Sequence, residues 1–207
     1  MSIWRTCAAA LVFALAICTP ARAQDPAAEK IQSFYSTLLD TMKRGTELGM
    51  QGRYRALEPA VEAAFDVPAM MQFIVGPGWA GMSEQDKNAL IAAFRRMTIA
   101  NYAANFASYN GEQFKVDPSV QQRGPDKLVQ TTLVPHDGKS VPLIYRMRDT
   151  SGSWKIIDVF LDGYVSELAT RRSDFAATLA SGGARALVAK INQLSDNLLN
   201  GSAKGGL

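Results

Sequence analysis

The sequence is poor in the residue types that build metal sites and nucleophilic active sites. Its 207 residues include two cysteines and a single histidine. His136 lies between Pro135 and Gly138 in a predicted turn, a position that is usually exposed to solvent. The sequence contains no P-loop, no G-x-G-x-x-G motif and no G-x-S-x-G motif. We therefore predict a protein that is not an enzyme and that uses no metal and no cofactor.

Both cysteines lie in a segment with the features of a secretory signal peptide, residues 1–23. Arg5 supplies a positive charge, Ala8–Ile17 is apolar, and Ala21–Ala23 has the small-x-small pattern of a cleavage site. The apolar run is shorter than the ~20 residues of a membrane-spanning helix. We predict cleavage before Gln24 and a periplasmic mature protein without cysteine, which suits an oxidising compartment.

Basic residues are neither abundant nor clustered in this chain. The formal net charge is +3, and removal of Arg5 and Arg22 with the signal peptide lowers it to +1. A nucleic-acid-binding surface needs lysines and arginines gathered along one face, and no run of that kind is present. We therefore predict no nucleic-acid partner.

The first half of the predicted mature chain has helical periodicity. Asp25-Pro26 is a good helix start, and Ser83 followed by Asp86 has the spacing of a capping box. Apolar residues then recur at steps of three and four positions. These patterns predict helices that begin at Asp25, Arg53, Asp66 and Ser83, with glycines at 45–52 ending the first, an irregular turn at 76–79, and the last helix reaching Tyr109.

The second half changes to alternation, which is typical of strands with one buried face. Apolar residues repeat at two-residue steps around residues 114–116, 129–133 and 141–147, and turn residues separate the runs. Trp154–Leu161 is rich in aromatic and β-branched residues, which favours a central strand. Two helices split at Gly182-Gly183 complete the chain. The pattern predicts an antiparallel meander of four strands.

This order of elements favours an α+β fold with a curled four-stranded sheet, helices packed on it, and an enclosed apolar cavity. The closest general shape is an NTF2-like cone with extra helices. We predict one domain over residues 24–201 and a disordered tail over residues 202–207.

Wide and flexible apolar side chains are plentiful, with seven methionines outside the predicted signal peptide. Methionine adapts to irregular spaces, so these residues suit either an ordinary core or a cavity for a large apolar ligand. The predicted cavity residues are Phe65, Met70, Met71, Ile74, Trp79, Phe94, Met97, Tyr102, Phe106, Val129, Thr131, Leu133, Leu143, Tyr145, Met147, Val159, Leu161 and Tyr164.

Six segments form an ordered set of motifs along the chain. They are RYRALEPAVEAAFD at 53–66, GPGW at 76–79, FRRMTIANYA at 94–103, YNG at 109–111, WKIIDVFLDG at 154–163 and RSDF at 172–175. This set resembles the MlaC-type phospholipid-binding proteins, also called toluene-tolerance auxiliary proteins, and the hopanoid-associated HpnM branch is the nearest fit. The family pattern after the last long strand is G-V-S, and this chain has one more residue there, Gly163-Tyr164-Val165-Ser166.

The resemblance implies a periplasmic lipid carrier without catalytic activity. Such a carrier would bind a phospholipid or a hopanoid-type lipid. It would move that lipid between an inner-membrane ABC transporter complex and the outer membrane.

Two other functions remain open from the residues alone. An isomerase-like enzyme could use the same apolar space, with Tyr145 and Asp158 as its acid pair. Asp158 and Asp162 cannot form such a pair on a straight strand, because four residues separate them by about 13 Å. An accessory protein that binds only membrane partners would need no cavity at all.

Overall fold

The computed structural model describes residues 24–203. The predicted signal peptide and residues 204–207 of the predicted tail lie outside this range. Ser202 and Ala203 are within it, and both backbone amides donate to the Asn197 carbonyl, at 2.9 and 3.1 Å.

Within residues 24–203, five α-helices form one layer of the fold, and three of them begin where the sequence predicted. Side chains of Asp25, Asp66 and Ser83 each accept a hydrogen bond from a first-turn backbone amide. None of the described helices is long and apolar enough to cross a membrane. The helices are α1 (Pro26–Lys43), α2 (Gly45–Ala64), α3 (Val67–Val75), α4 (Glu84–Asn105) and α5 (Glu167–Leu199).

Three helix boundaries differ from the prediction. The glycine-bounded segment 45–52 is helical and belongs to α2, where Gly49 forms a kink with φ 58°. Gly76–Gly81 is a short 3-10 helix rather than irregular, because Pro77 suits the first turn of a helix. The α4 helix ends at Asn105, before the predicted end at Tyr109.

The sheet is antiparallel, as predicted, but the described part of the chain contributes six strands to it rather than four. Both additional strands are short, and the three residues of β2 are all exposed. Neither has an alternating apolar pattern, which explains why the sequence did not reveal them. The strands are β1 (Gln113–Val116), β2 (Gln121–Arg123), β3 (Asp126–Val134), β4 (Val141–Thr150), β5 (Ser153–Leu161) and β6 (Val165–Ser166), in the order β1-β3-β4-β5-β6 with β2 also paired to β3.

Helix α1 lies across one face of the sheet, which we call the inner face. Val129, Tyr145 and Val159 are opposite one another on β3, β4 and β5, so their side chains share this face. The Tyr35 hydroxyl of α1 is 2.8 Å from the Thr131 hydroxyl and donates to the Tyr145 hydroxyl at 3.0 Å. Aromatic side chains of α1 therefore fill the space above the centre of the sheet.

Helix α5 reverses direction at Gly183. A straight α-helix would hold Leu168 and Leu198 about 45 Å apart. Both residues instead line one cavity, so the second half of α5 returns along the first half. Gly183 has φ 63° and ψ −159°, a conformation that is open almost only to glycine. The predicted split of the last helix at Gly182-Gly183 is confirmed.

Gly183→Ala tests how strongly the fold depends on this reversal. A Cβ atom at Gly183 would meet no other atom within 4 Å, so the substitution isolates the backbone preference. We expect the free energy of unfolding to fall by about 1–3 kcal/mol, measured by urea denaturation. Gly81→Ala is the matched control, because Gly81 is exposed and a Cβ atom there is also in open space. Equal stability of the two variants would contradict the assigned role of Gly183.

Candidate functional site

An apolar cavity lies between α3, α4, β5 and both halves of α5, and its volume is about 320 Å³. Most of its lining is apolar and buried, so a ligand inside it would meet hydrocarbon on most sides. The apolar lining residues are Phe65, Met70, Phe94, Met97, Tyr102, Val159, Leu168, Leu194 and Leu198, with Ala203 at the end of the described chain.

Polar side chains gather at one side of this cavity, which we call the rim. The rim consists of Thr98 and Asn101 from α4 and of Glu167 and Arg171 from α5, all of them partly exposed. Glu167 and Arg171 are four residues apart, so they lie on the same face of the helix. The cavity is therefore amphipathic, with an apolar interior and a charged opening.

The charges at the rim are only loosely paired. Arg171 Nη2 is 3.7 Å from Glu167 Oε2, and Arg171 Nη1 is 4.0 Å from Asp174 Oδ2. Both distances exceed ordinary hydrogen-bond length. Burial raises the pKa of Glu167, with Arg171 opposing the shift and the nearby carboxylates of Asp158 and Asp174 adding to it.

The Asp158 carboxylate positions the rim by joining β5 to the start of α5. Its Oδ1 atom accepts from the backbone amides of Val159 at 2.8 Å and Leu168 at 3.1 Å. Its Oδ2 atom accepts from the Ser166 hydroxyl at 2.7 Å, and that hydroxyl caps α5 by accepting from the Ala169 amide. The first turn of α5 is thus fixed to the strand beside the cavity.

The structure does not assemble the acid pair of the isomerase hypothesis. Asp158 pairs with Arg146 across the strands, and the neighbouring Tyr145 pairs with Val159. Consecutive strand residues point to opposite faces, so Tyr145 and Asp158 lie on opposite sides of the sheet. Among the described residues, no three His, Cys, Asp or Glu side chains come together as a possible metal site.

Three buried tyrosines lie beside the cavity and at the contact between α1 and the inner face of the sheet. Burial raises the pKa of Tyr35 to about 12, although its hydrogen bonds with Thr131 and Tyr145 oppose the shift. Burial also raises the pKa of Tyr102, which lines the cavity, and of Tyr145. All three hydroxyls therefore remain neutral near pH 7.

The predicted cavity residues fall into several groups in the structure. Phe65, Met70, Phe94, Met97, Tyr102 and Val159 line the 320 Å³ cavity. Seven others share the inner face of the sheet with α1 above it: Val129, Thr131, Leu133, Leu143, Tyr145, Met147 and Leu161. Met71, Ile74 and Phe106 are buried within the helical layer, and Trp79 is partly buried on the 3-10 helix with Lys87 Nζ 5.9 Å from its ring centre.

Tyr164 occupies a different environment from the rest of that set. Its exposed fraction is 76%, and it follows Asp162 and Gly163, which both have positive φ. It belongs to the segment that is one residue longer than the family pattern. The tight turn before β6 directs this side chain into solvent.

Sequence reasoning did not assign Thr98, Asn101, Glu167, Leu168, Arg171, Leu194, Leu198 or Ala203 to the cavity. Leu194 and Leu198 were placed on the apolar face of the last helix, and that face was the available signal. The two rim charges look in sequence like an ordinary solvent-exposed helical ion pair. Only the reversal at Gly183 shows that both ends of α5 meet beside α4.

Asp158→Asn tests whether the pKa of the carboxyl group that joins β5 to α5 is raised. Burial raises the pKa of Asp158 above the ordinary 3.8, so the folded protein holds this proton more tightly than the unfolded chain does. Its stabilising contribution is present below pH ~4 and is lost as pH rises through the raised pKa. The wild type should therefore lose stability relative to Asp158→Asn over that interval, measured by urea unfolding at a series of pH values.

The asparagine variant can keep the same geometry, since its oxygen can accept from both amides and its nitrogen can donate to Ser166. Asp40→Asn, at an exposed position on α1, provides the control. A difference in stability that grows in favour of the wild type with rising pH would contradict the raised pKa of Asp158.

Comparison with a solved structure shows the same fold in another protein. A phospholipid-binding protein from Ralstonia solanacearum, determined in complex with a phospholipid, matches with a TM-score of 0.73 and 19% sequence identity. The match covers 84% of this chain and 99% of that one. The sequence also matches the MlaC protein family over residues 32–193, from α1 into the reversed half of α5. The match spans more than half of the chain and includes eleven of the fourteen residues that line the cavity, and the chain belongs to the MlaC protein family.

Proposed function

We propose that this protein is a periplasmic carrier that binds a phospholipid in the cavity between α3, α4, β5 and α5. The observation that carries this proposal is the amphipathic cavity itself, with a buried apolar interior and charged side chains at one rim. A lipid has the same division, with hydrocarbon chains at one end and a polar headgroup at the other. Family membership and the phospholipid-bound neighbour support this assignment.

The energetics of lipid transfer explain why such a carrier would be needed. Each methylene that leaves an apolar environment for water costs ~0.8 kcal/mol, so a lipid with about 30 methylenes faces on the order of 20 kcal/mol. Free passage through an aqueous compartment is therefore very slow. A protein that encloses the hydrocarbon chains removes most of this barrier.

The size of the cavity implies that its walls move apart when a lipid enters. A volume of 320 Å³ is at the lower end of the ~300–1,000 Å³ range of small-molecule pockets. A phospholipid with two acyl chains is larger than the small molecules that occupy pockets at the lower end of this range. We expect the lining methionines Met70 and Met97 to change rotamer, and the reversed half of α5 to shift outward.

The proposal also includes the partners with which the carrier exchanges its lipid. We propose that the carrier exchanges lipid with an inner-membrane ABC transporter complex and with the outer membrane. We also propose that residues 1–23 are a signal peptide and are removed by cleavage before Gln24. A charged rim suits a phospholipid better than a hopanoid-type hydrocarbon, which has less polar surface to match it.

Met97→Trp, compared with Met147→Trp, tests where the lipid binds. Both methionines are buried, but Met97 lines the cavity and Met147 lies on the inner face of the sheet. We expect Met97→Trp to reduce the lipid that co-purifies with the protein and to leave the melting temperature nearly unchanged. Met147→Trp should overpack a filled core at a cost of about 1–3 kcal/mol and leave the lipid content per folded molecule unchanged.

Lipid content is measured by solvent extraction and by native mass spectrometry of gently purified protein. Wild-type protein that carries no lipid in several preparations, and takes none from phospholipid vesicles, would overturn the proposed function. Full lipid content in Met97→Trp together with a clear loss of stability would instead place Met97 in a close-packed core.

A further inference from the structure

The two charges at the rim differ in several ways from an ordinary surface ion pair. The side chains of Arg171 and Glu167 are only 25% and 23% exposed, and both line an apolar cavity. Within residues 24–203, the Arg171 side chain makes no hydrogen bond to another protein group, and its contacts with carboxylates are ion pairs at 3.7 and 4.0 Å. A partly exposed guanidinium that no protein hydrogen bond holds, at the opening of an apolar cavity, is well placed to donate to a ligand oxygen.

The carboxylates of Glu167 and Asp174 are also incompletely neutralised by positive charge. Glu167 and Asp174 both face Arg171, so two carboxylates share one cation at this position. Burial raises the pKa of Glu167, and the Asp158 and Asp174 carboxylates add to that shift. A second cation near Glu167 would relieve this excess of negative charge.

We propose that the rim recognises a zwitterionic aminophospholipid headgroup, with Arg171 binding the phosphodiester and Glu167, assisted by Asp174, binding the primary ammonium. This inference rests on the proposed lipid-binding function and adds a preference among phospholipids. A phosphoethanolamine headgroup has its negative and positive groups joined by two carbons. It therefore presents the two charges side by side, in complement to Arg171 and Glu167.

The same charges disfavour the other common headgroups. A phosphatidylglycerol headgroup supplies the phosphodiester but no cation, so it would add a third negative charge beside Glu167 and Asp174. A choline headgroup carries a positive charge but no N–H donor, so it cannot form charge-assisted hydrogen bonds to the carboxylates. The primary ammonium satisfies both the charge and the hydrogen-bonding requirements.

The position of the rim also fixes the orientation of the bound lipid. Arg171 and Glu167 lie in the first turns of α5, while Phe94 and Met70 lie in the buried part of the cavity. The headgroup would therefore lie at the start of α5, near the Asp158 joint, with the acyl chains extending between α3 and α4. The exposed part of the headgroup would remain open to water.

The test compares two lipids with identical oleoyl chains, dioleoyl phosphatidylethanolamine and dioleoyl phosphatidylglycerol, offered to lipid-stripped full-length mature protein from detergent micelles. Identical chains keep the apolar contribution constant. We expect the wild type to bind the ethanolamine lipid about tenfold more tightly, the scale of one charge-assisted hydrogen bond. Glu167→Gln should abolish this preference, because it should lower the affinity for the ethanolamine lipid and raise the affinity for the glycerol lipid.

Arg171→Gln should lower the affinity for both lipids by about tenfold, because both lipids contain the phosphodiester that Arg171 would bind. Arg172→Gln is the matched control, since the Arg172 guanidinium is exposed and stacks 5.4 Å from the Phe73 ring. We expect no change in either affinity for that variant. Asp174→Asn, at an exposed position, should reduce the preference partly and provides a second measurement if Glu167→Gln does not fold.

Equal binding of the two lipids by the wild type would overturn the headgroup inference and leave the proposed carrier function standing. An unchanged preference in both Glu167→Gln and Asp174→Asn would do the same. Failure of the wild type to bind either lipid would overturn the carrier function itself, so the two outcomes are distinct.

Discussion

The Asp158 carboxylate is the interaction on which the geometry of the cavity depends. It is nearly completely buried and accepts hydrogen bonds from Val159, Ser166 and Leu168. A buried carboxylate is costly unless its oxygens are well satisfied, so the three donors must stay in place together. These hydrogen bonds hold the end of β5, the Ser166 cap and the first turn of α5 together as a single unit. The direction in which α5 leaves the sheet follows from this arrangement.

The path of α5 then decides which elements enclose the cavity. Its first half leaves the Asp158 joint beside α3, and the reversal at Gly183 brings its second half back along α4. The cavity consequently lies within the helical layer, at the side of β5, rather than over the centre of the sheet. Tyr35 already occupies that central position through its contacts with Thr131 and Tyr145.

Sequence patterns predicted the fold class, the long strands and the side of each strand that is buried. The alternation in 129–133 and 141–147 places Val129, Leu143 and Tyr145 on one face, and the observed register agrees. Alternation shows that a face is covered but does not show what covers it. For that reason the sequence could not distinguish α1 from a ligand above the sheet. It also could not identify Glu167 and Arg171, because their environment depends on the tertiary reversal of α5.

The contacts that hold the sheet and α1 together differ from those that hold the reversed half of α5, and this difference indicates where the fold can open. The strands of the sheet are joined to one another by ladders of backbone hydrogen bonds. Helix α1 is joined to the sheet by the buried Tyr35 hydroxyl, so separating them would leave polar groups unsatisfied. The reversed half of α5 is held to α4 partly by an exposed ion pair, with Arg96 Nη2 2.6 Å from Asp196 Oδ1. Exposed ion pairs contribute little, typically less than about 1 kcal/mol. Moving this half of α5 outward would expose apolar surface of the buried Leu187, Ile191 and Leu198, but it would break no strand pairing. In the proposed function, the headgroup would lie where Asp158 fixes α5 to β5, and the acyl chains would lie between elements that can separate without breaking the sheet.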